Sequence, residues 1–317
     1  MRLSIITINY NGSESTIKLL KSLGDQINTS ASLNTDKNFQ IIVVDNASEE
    51  TDFNNLEKYY TTYPDTAKVP FVIRNTKNLG FSGGNNVGIR EALKRGSDWV
   101  VLLNNDTSVG NDFISVLVTK LEGLDGIVGI PLIEDDSLKL HGNHGTGPTA
   151  YYGKIEWLKP TLKHGHTPPY SEYLRRNRNF YAIGGAMAIH GDVFDKINFL
   201  DEKYFLYFED ADFNVRAKKE GISVNFIDEP KVRHQEVSKT TKKLGSPMLL
   251  RYHYRNALYF NQKNGQQNIK ILLWPWSFGV VIKQLLKILF VYKQKESLAI
   301  LMGVFDFYRN KMGKINN

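Results

Sequence analysis

Over roughly the first 130 residues, short runs of β-branched side chains alternate with stretches in which apolar residues recur every three or four positions. That alternation predicts a parallel α/β sheet, because parallel strands need helical crossovers between them. The runs Ser4 to Ile8, Ile41 to Val44, Phe71 to Ile73 and Trp99 to Leu103 are expected as strands. Ser13 is placed to cap a helix carrying Ile17, Leu20 and Leu23, and Asn86 to Leu93 predict a second helix that stops at Gly96. Asn111 is expected to cap a third, with Phe113, Val116, Leu117 and Leu121 on one face.

From about Glu134 to Arg178 the periodicity fails, and Gly, His, Pro and Tyr dominate. An irregular stretch of that length predicts a functional loop or an inserted excursion. An apolar segment, Ile183 to Ile189, follows, and then acidic Glu209, Asp210 and Asp212 lead into a helix ending near Gly221. Beyond about Ser246 the pattern is helical, aromatic and basic, which sets a boundary there.

The longest apolar stretch runs from Ile271 to Tyr292, interrupted by Pro275, Lys283, Gln284 and Lys287. A spanning helix wants about 20 residues with few charges, so crossing a membrane is the less favoured reading. Two others stand: a helix lying in a membrane interface with Trp274 and Trp276 at headgroup level, or a buried helix capping the domain. The amino-terminal apolar run is too short for a signal-peptide core and reads as a strand.

Composition narrows the chemistry. The chain of 317 residues has no cysteine, which removes disulfides, zinc–thiolate sites and cysteine nucleophiles, and suits a reducing compartment. The net charge of +7 fits an anionic partner: nucleic acid, an acidic membrane surface or a phosphorylated small molecule. No interleaved basic and aromatic platform supports nucleic acid. Much of the basic excess lies late, in Lys231, Arg233, Lys239, Lys242, Lys243, Arg251 and Arg255 and again in Lys283, Lys287, Lys293 and Lys295, which favours the membrane surface.

In open α/β sheets, ligands bind outside the carboxyl ends of the strands. The four predicted strands run into Asn9-Tyr10-Asn11-Gly12, Asp45-Asn46-Ala47-Ser48, Arg74-Asn75 and Asn104-Asn105-Asp106-Thr107. Each alone suits a turn, where Asn and Asp are common. All four on one edge predict a ligand crevice, in which Asp106 can meet a hard cation shared with a diphosphate. Glu209, Asp210 and Asp212 repel one another and raise the affinity for at least one proton, as a general base requires, provided the aromatic neighbours bury them against the opposing helix dipole. Asn78 to Gly88 reads as a glycine-rich loop before a helix, able to present backbone N–H groups to an anion. It has neither the dinucleotide-binding nor the Walker A spacing.

Together these blocks, with Gly184-Gly185-Ala186 and Phe205 to Asp212, resemble a family 2 glycosyltransferase of the GT-A fold, in the bacterial branch that includes rhamnosyltransferases of polysaccharide assembly. The likeness spans roughly residues 1 to 260 and implies a mostly parallel α/β catalytic domain over 1–245 with a helical extension over 246–317. It implies inverting transfer of a sugar from a nucleotide-diphosphate donor, rhamnose from dTDP-rhamnose or a UDP-hexose, to a saccharide or lipid-linked saccharide. Asn9, Asn11 and Asp45 would hold base and ribose, with Asn78, Gly80, Asn104 and Asn105 nearby and Gly184 and Gly185 close to the sugar. Asp106 would ligate Mg²⁺ or Mn²⁺, with His234 as a second candidate ligand. Asp210 would act as base, with Glu209 and Asp212 orienting it or the acceptor. Asn104 replaces the first carboxylate of the commonest aspartate-x-aspartate signature, which leaves the metal fewer charged ligands. The arginine of Tyr252-His253-Tyr254-Arg255-Asn256 would meet the diphosphate or an anionic lipid carrier, or else belong to a packed amphipathic helix. The implied location is the cytoplasm, at the inner face of the cell membrane. The rival reading is a non-catalytic protein that binds nucleotide sugar or glycan on the same fold.

Overall fold

Strand β1 (Leu3–Asn9) is buried along nearly its whole length, as expected of a mostly apolar run with helices on both faces. The computed structural model describes residues 1–27, 39–62, 70–133, 148–169, 177–234 and 246–315. β1 pairs in parallel with β2 (Phe39–Asp45) on one side and β4 (Trp99–Leu103) on the other, and β3 (Phe71–Arg74) extends the sheet beyond β2. Past β4 lie β12 (Ala186–His190), β6 (Ile127–Gly129) and β13 (Val224–Phe226), with β12 alone running against the rest. The order β13-β6-β12-β4-β1-β2-β3 reverses direction between β1 and β4, and this switch point opens a crevice at their carboxyl ends.

The pleat sends alternate side chains into two cores. Leu3, Ile5, Val43 and Val101 meet Leu19 and Leu23 of α1 (Ser13–Ile27), Leu56 of α2 (Glu50–Thr61) and Leu117 of α4 (Phe113–Leu121). On the other face Ile6, Ile42, Val44 and Leu102 meet Ile89 of α3 (Gly80–Lys94), Phe194 of α5 (Gly191–Ile197) and Phe213 of α6 (Glu209–Lys219). All four predicted strands are present, each lengthened by no more than three residues.

Two local expectations are corrected. Asp112, not Asn111, occupies the cap position of α4, and its side chain makes no capping hydrogen bond. The glycine-rich stretch is not a loop, because helix α3 already begins at Gly80. Its glycines let the helix lie directly on the sheet: a β-carbon at Gly88 would come within 2.5 Å of Ile6. Its first amides are already engaged, Gly80 N–H by Asn78 Oδ1 and Phe81 N–H by the Phe205 carbonyl.

Within the irregular region, residues 148–169 form β8 (Thr149–Ala150), β9 (Tyr152–Lys154) and β10 (Lys163–Gly165); residues 134–147 and 170–176 lie outside the described residues. Strand β9 pairs with β10 and with β11 (Phe180–Tyr181). A second small sheet joins β5 (Thr107–Val109), β14 (Val232–His234), β7 (Leu132–Ile133) and β8. The carboxyl-terminal helices are α7 (Pro247–Asn264), α8 (Gln267–Leu289) and α9 (Gln294–Tyr308). Ala257 and Phe260 of α7 pack with Phe208, Ala211 and Val215, so the extension shares a core with α6. Of α8 only Leu273, Ser277 and Gln284 are buried, which overturns the reading of a buried capping helix.

Candidate active site

A cavity of about 320 Å³ sits at the switch point, lined by Ile8 and Tyr10 from the end of β1, Asn46 after β2, and Leu102 to Asn105 at the end of β4. Asn78, Gly80, Phe81 and Asn85 close one side, and Gly184, Phe205 and Leu206 the other. A second cavity of about 430 Å³ contains Glu209, Asp210, His234 and His253, and its wall includes Thr161, Leu162 and His164 from the irregular region. The two share Phe81, Asn104, Gly184 and Leu206, so they are adjoining chambers of one crevice.

Asn9 and Asp45 are fully buried and line neither chamber. Asn9 Nδ2 donates to Asp45 Oδ1 at 2.9 Å, to Ser48 Oγ at 3.1 Å and to Asp52 Oδ2 at 2.9 Å, while its Oδ1 accepts from Thr16 Oγ1 at 2.8 Å. This network ties the ends of β1 and β2 together beneath the crevice. Asn11, exposed and left-handed at φ 50°, accepts from the Glu49 amide at 2.8 Å. Sequence reasoning missed Asn46, whose Nδ2 donates to Asn78 Oδ1 and the Gly80 carbonyl while its Oδ1 accepts from Asn75 Nδ2 and the Leu79 amide. That hub fixes the wall from Asn75 to Gly80. Gly80 itself is left-handed at φ 73°, and a β-carbon there would collide with Phe205.

Asp106 and His234, far apart in sequence, are brought together with His234 Nδ1 3.6 Å from Asp106 Oδ1. The antiparallel pairing of β5 with β14 does this by setting His234 opposite Thr107. A carboxylate oxygen and an imidazole nitrogen are a donor pair suited to a divalent cation completed by substrate phosphates and water. Among the described residues no cluster of three or more His, Asp or Glu offers a closed metal site.

Asp210 stands in the first turn of α6, where its Oδ2 accepts from the Gly184 amide at 2.9 Å and its Oδ1 from the Ala211 amide at 2.7 Å. Burial nevertheless raises its affinity for a proton above that of an ordinary aspartate, against those two hydrogen bonds. Burial, and next the charge of Asp210, push Glu209 well above the usual carboxylate range, and its Oε2 is buried without a partner. The aromatic neighbours thus outweigh the helix dipole. Asp212 faces away from both chambers: fully buried, it is held by Asn264 Nδ2 at 2.7 Å, Arg216 Nε at 2.8 Å and Lys263 Nζ at 2.9 Å.

The turn before α6 is strained, with Phe205, Tyr207 and Phe208 all left-handed at φ 64°, 70° and 75°. Such backbone persists only where its surroundings hold it. Asn256 supplies the hold: its buried Nδ2 donates to the carbonyls of Tyr204, Leu206 and Tyr207. Arg255 is also buried and donates to the Tyr204 and Gly313 carbonyls, and Arg251 is paired with Asp306 at 2.6 Å. These arginines are structural, so the expectation that Arg255 meets a diphosphate or lipid carrier is corrected. His253, stacked on Tyr207 at 4.1 Å, is driven by burial to a pKa of about 4 and is a neutral imidazole in the wall.

The family model for glycosyl transferase family 2 matches residues 4–188. The chain belongs to this family. It is 26% identical to the low-salt glycan biosynthesis hexosyltransferase Agl10 of Haloferax volcanii over 98% of this chain and 92% of that one. It is 25% identical to the dTDP-rhamnosyl transferase RfbF of Shigella flexneri over 72% and 73% of the two chains. Among solved structures, TarS 1-349 of S. aureus in complex with UDP-GlcNAc aligns with a TM-score of 0.53 at 14% identity, over 98% of this chain and 92% of that chain. The mannosyltransferase PcManGT of Pyrobaculum calidifontis, with GDP-Man and Mn²⁺, aligns at 0.56 and 12% identity over 98% and 88%. The fold is therefore GT-A, as the sequence resemblance implied.

Proposed function

We propose that this glycosyltransferase is a metal-dependent inverting enzyme that moves a hexose, foremost rhamnose from dTDP-rhamnose and next a UDP-linked hexose, to a hydroxyl of a saccharide or lipid-linked saccharide in cell-surface polysaccharide synthesis. The observation that carries this reading is the shared wall of the two chambers: a donor sugar at Asn104 and Gly184 is one side chain away from Asp210. The named rhamnosyl relative and the hexosyltransferase relative support the donor class.

In this reading the nucleotide lies in the chamber lined by Asn78, Gly80, Asn104 and Asn105, over the floor that Asn9 and Asp45 brace. The acceptor occupies the second chamber. Its oxygen attacks the anomeric carbon, the bond from that carbon to the diphosphate oxygen breaks, and the hydroxyl proton passes to Asp210. Two amides hold the Asp210 carboxylate in place, while burial and the charge of Asp210 favour the protonated form of its neighbour Glu209. Asp106 and His234 would hold Mg²⁺ or Mn²⁺, which supplies positive charge against the departing diphosphate. Asp212 acts from behind, tying the base-bearing helix to α7. The enzyme works at the inner face of the cell membrane, where lipid-linked acceptors are presented.

A thermal-shift screen of nucleotide sugars with and without Mn²⁺ or Mg²⁺ tests the reading, because only ligands of the folded state raise the Tm. dTDP-rhamnose should stabilise the protein most in the presence of metal. Stabilisation without turnover towards any saccharide acceptor would instead support the non-catalytic binding protein.

A further inference from the structure

Among the described residues, most of one side of helix α8 lies open, with Trp274 at its edge 6.1 Å from the ring of Tyr308 of α9. Its inner side is seated, with Ser277 Oγ 2.6 Å from Tyr308 Oη of α9 and Trp276 stacked on Tyr254 of α7. The outer side carries Ile271, Trp274, Phe278, Ile282, Leu285 and Leu289 at three- and four-residue spacing, with Trp274 and Leu289 both 71% exposed. The exposed apolar surface continues past the helix end through Phe290 and Val291, 75% and 76% exposed. Patches of this extent mark an interaction surface, because water contact with them is costly.

Charge says what covers it. From residue 265 onward the chain has eight Lys and Arg against two Asp and Glu, so six of the seven net positive charges of the protein lie here. Lys283, Lys293 and Lys295 are exposed, while Lys287, half-buried and two residues from both Leu285 and Leu289, turns away from the apolar side; Asp306 is already paired with Arg251. A second copy apposed across a two-fold axis would bring like charges face to face. Anionic headgroups above an apolar layer match both properties.

We infer that the outer side of α8 docks in the plane of an anionic lipid bilayer. α8 is the helix among the described residues long and apolar enough to cross a membrane, but its inner side is committed to α7 and α9, and lipid can reach only the outer one. Adjacent residues of α7 face both ways: His253 lines the chamber of Asp210, and Tyr254 meets Trp276 of α8. The docked surface is then about two helix diameters, roughly 20 Å, from the acceptor chamber. This deepens, and on this point rests on, the proposed transfer reaction by making the acceptor lipid-linked.

Flotation of the full chain with phosphatidylcholine vesicles, with and without phosphatidylglycerol, tests the docking. Binding is expected only to the anionic vesicles and to be reversed by alkaline carbonate. The double change Phe278→Glu with Leu289→Glu should abolish flotation while leaving the Tm unchanged, and Lys283→Gln with Lys293→Gln should weaken partitioning about 30-fold. Failure to float with anionic vesicles, flotation indifferent to Phe278 and Leu289, retention after carbonate, or a dimer that those changes dissolve would each overturn it. No sugar is present in flotation, so its failure leaves the transfer reading intact. Normal docking with no turnover would remove the reaction alone.

Discussion

The Nδ1 of His234 lies 3.6 Å from Oδ1 of Asp106, joined by a strand pairing that nothing in either local sequence announces. An imidazole and a carboxylate so placed share one task if a cation bridges them to a diphosphate. Asp106→Ala should lower kcat/KM by about 100-fold, roughly 3 kcal/mol of lost charge stabilisation, and His234→Ala by less. Donor titrations with and without Mn²⁺ check this; affinity that is unchanged by either substitution in the presence of metal removes the assignment.

Glu209 and Asp210 are neighbouring carboxylates whose proton affinities are both raised by burial, that of Glu209 the further. Asp210→Asn should reduce turnover by about 10²- to 10⁴-fold, the usual worth of a general base, with nucleotide binding retained. Glu209→Gln mimics the protonated side chain and should keep most activity. Single-turnover rates of both variants decide the matter, and the reverse ranking would make Glu209 the base.

The same burial predicts two pH dependences. Only ionised Asp210 accepts a proton, so kcat/KM should rise with pH along a limb displaced above the ordinary aspartate range near 4. Glu209, whose folded-state pKa is raised, is protonated longer in the native than in the unfolded chain, so it costs stability as pH climbs above its unfolded value. Glu209→Gln should therefore raise the Tm at neutral pH, by about 2 °C per kcal/mol recovered, and not at pH 4. Calorimetry at the two pH values checks the sign.

Asn256 bridges three carbonyls of the left-handed turn before α6. Asn256→Ala takes that donor from the part-buried Leu206 and Tyr207 carbonyls, at a cost of about 1–3 kcal/mol, while Arg255 still serves Tyr204. The Tm should fall and kcat should fall with it, because the turn carries Asp210. A variant that loses stability but keeps wild-type kcat below its melting range would show that the turn is held by other contacts.

Much of the scaffold was legible because its determinants are local. Short runs of β-branched and other apolar residues announced β1, β2, β3 and β4, and polar residues at their ends announced the crevice. Asn78 to Gly88 misled, since glycines that suit a phosphate loop equally suit a helix pressed onto Ile6 and Ile8, and only packing distinguishes the two. Asn9 and Asp45 were visible as polar strand ends, but their burial under the floor was not. Arg255 read equally as a cation free to meet phosphate or as part of a packed helix, and burial and three carbonyls decide for the second.

By itself, the sequence determined strands β1 to β4 and helices α1, α3 and α4 and marked Asp106, Glu209 and Asp210 as candidate groups, because periodicity, turn chemistry and charge clustering act over a few residues; the family followed from the resemblance of whole motif blocks. The tertiary structure decided which of those groups meet: β5 against β14 for Asp106 and His234, α6 against Gly184 for Asp210, and α7 against the strained turn. It also decided which apolar side chains stay open on α8. Burial and proximity are sums over chain segments distant in sequence, and they exist only once those segments have packed.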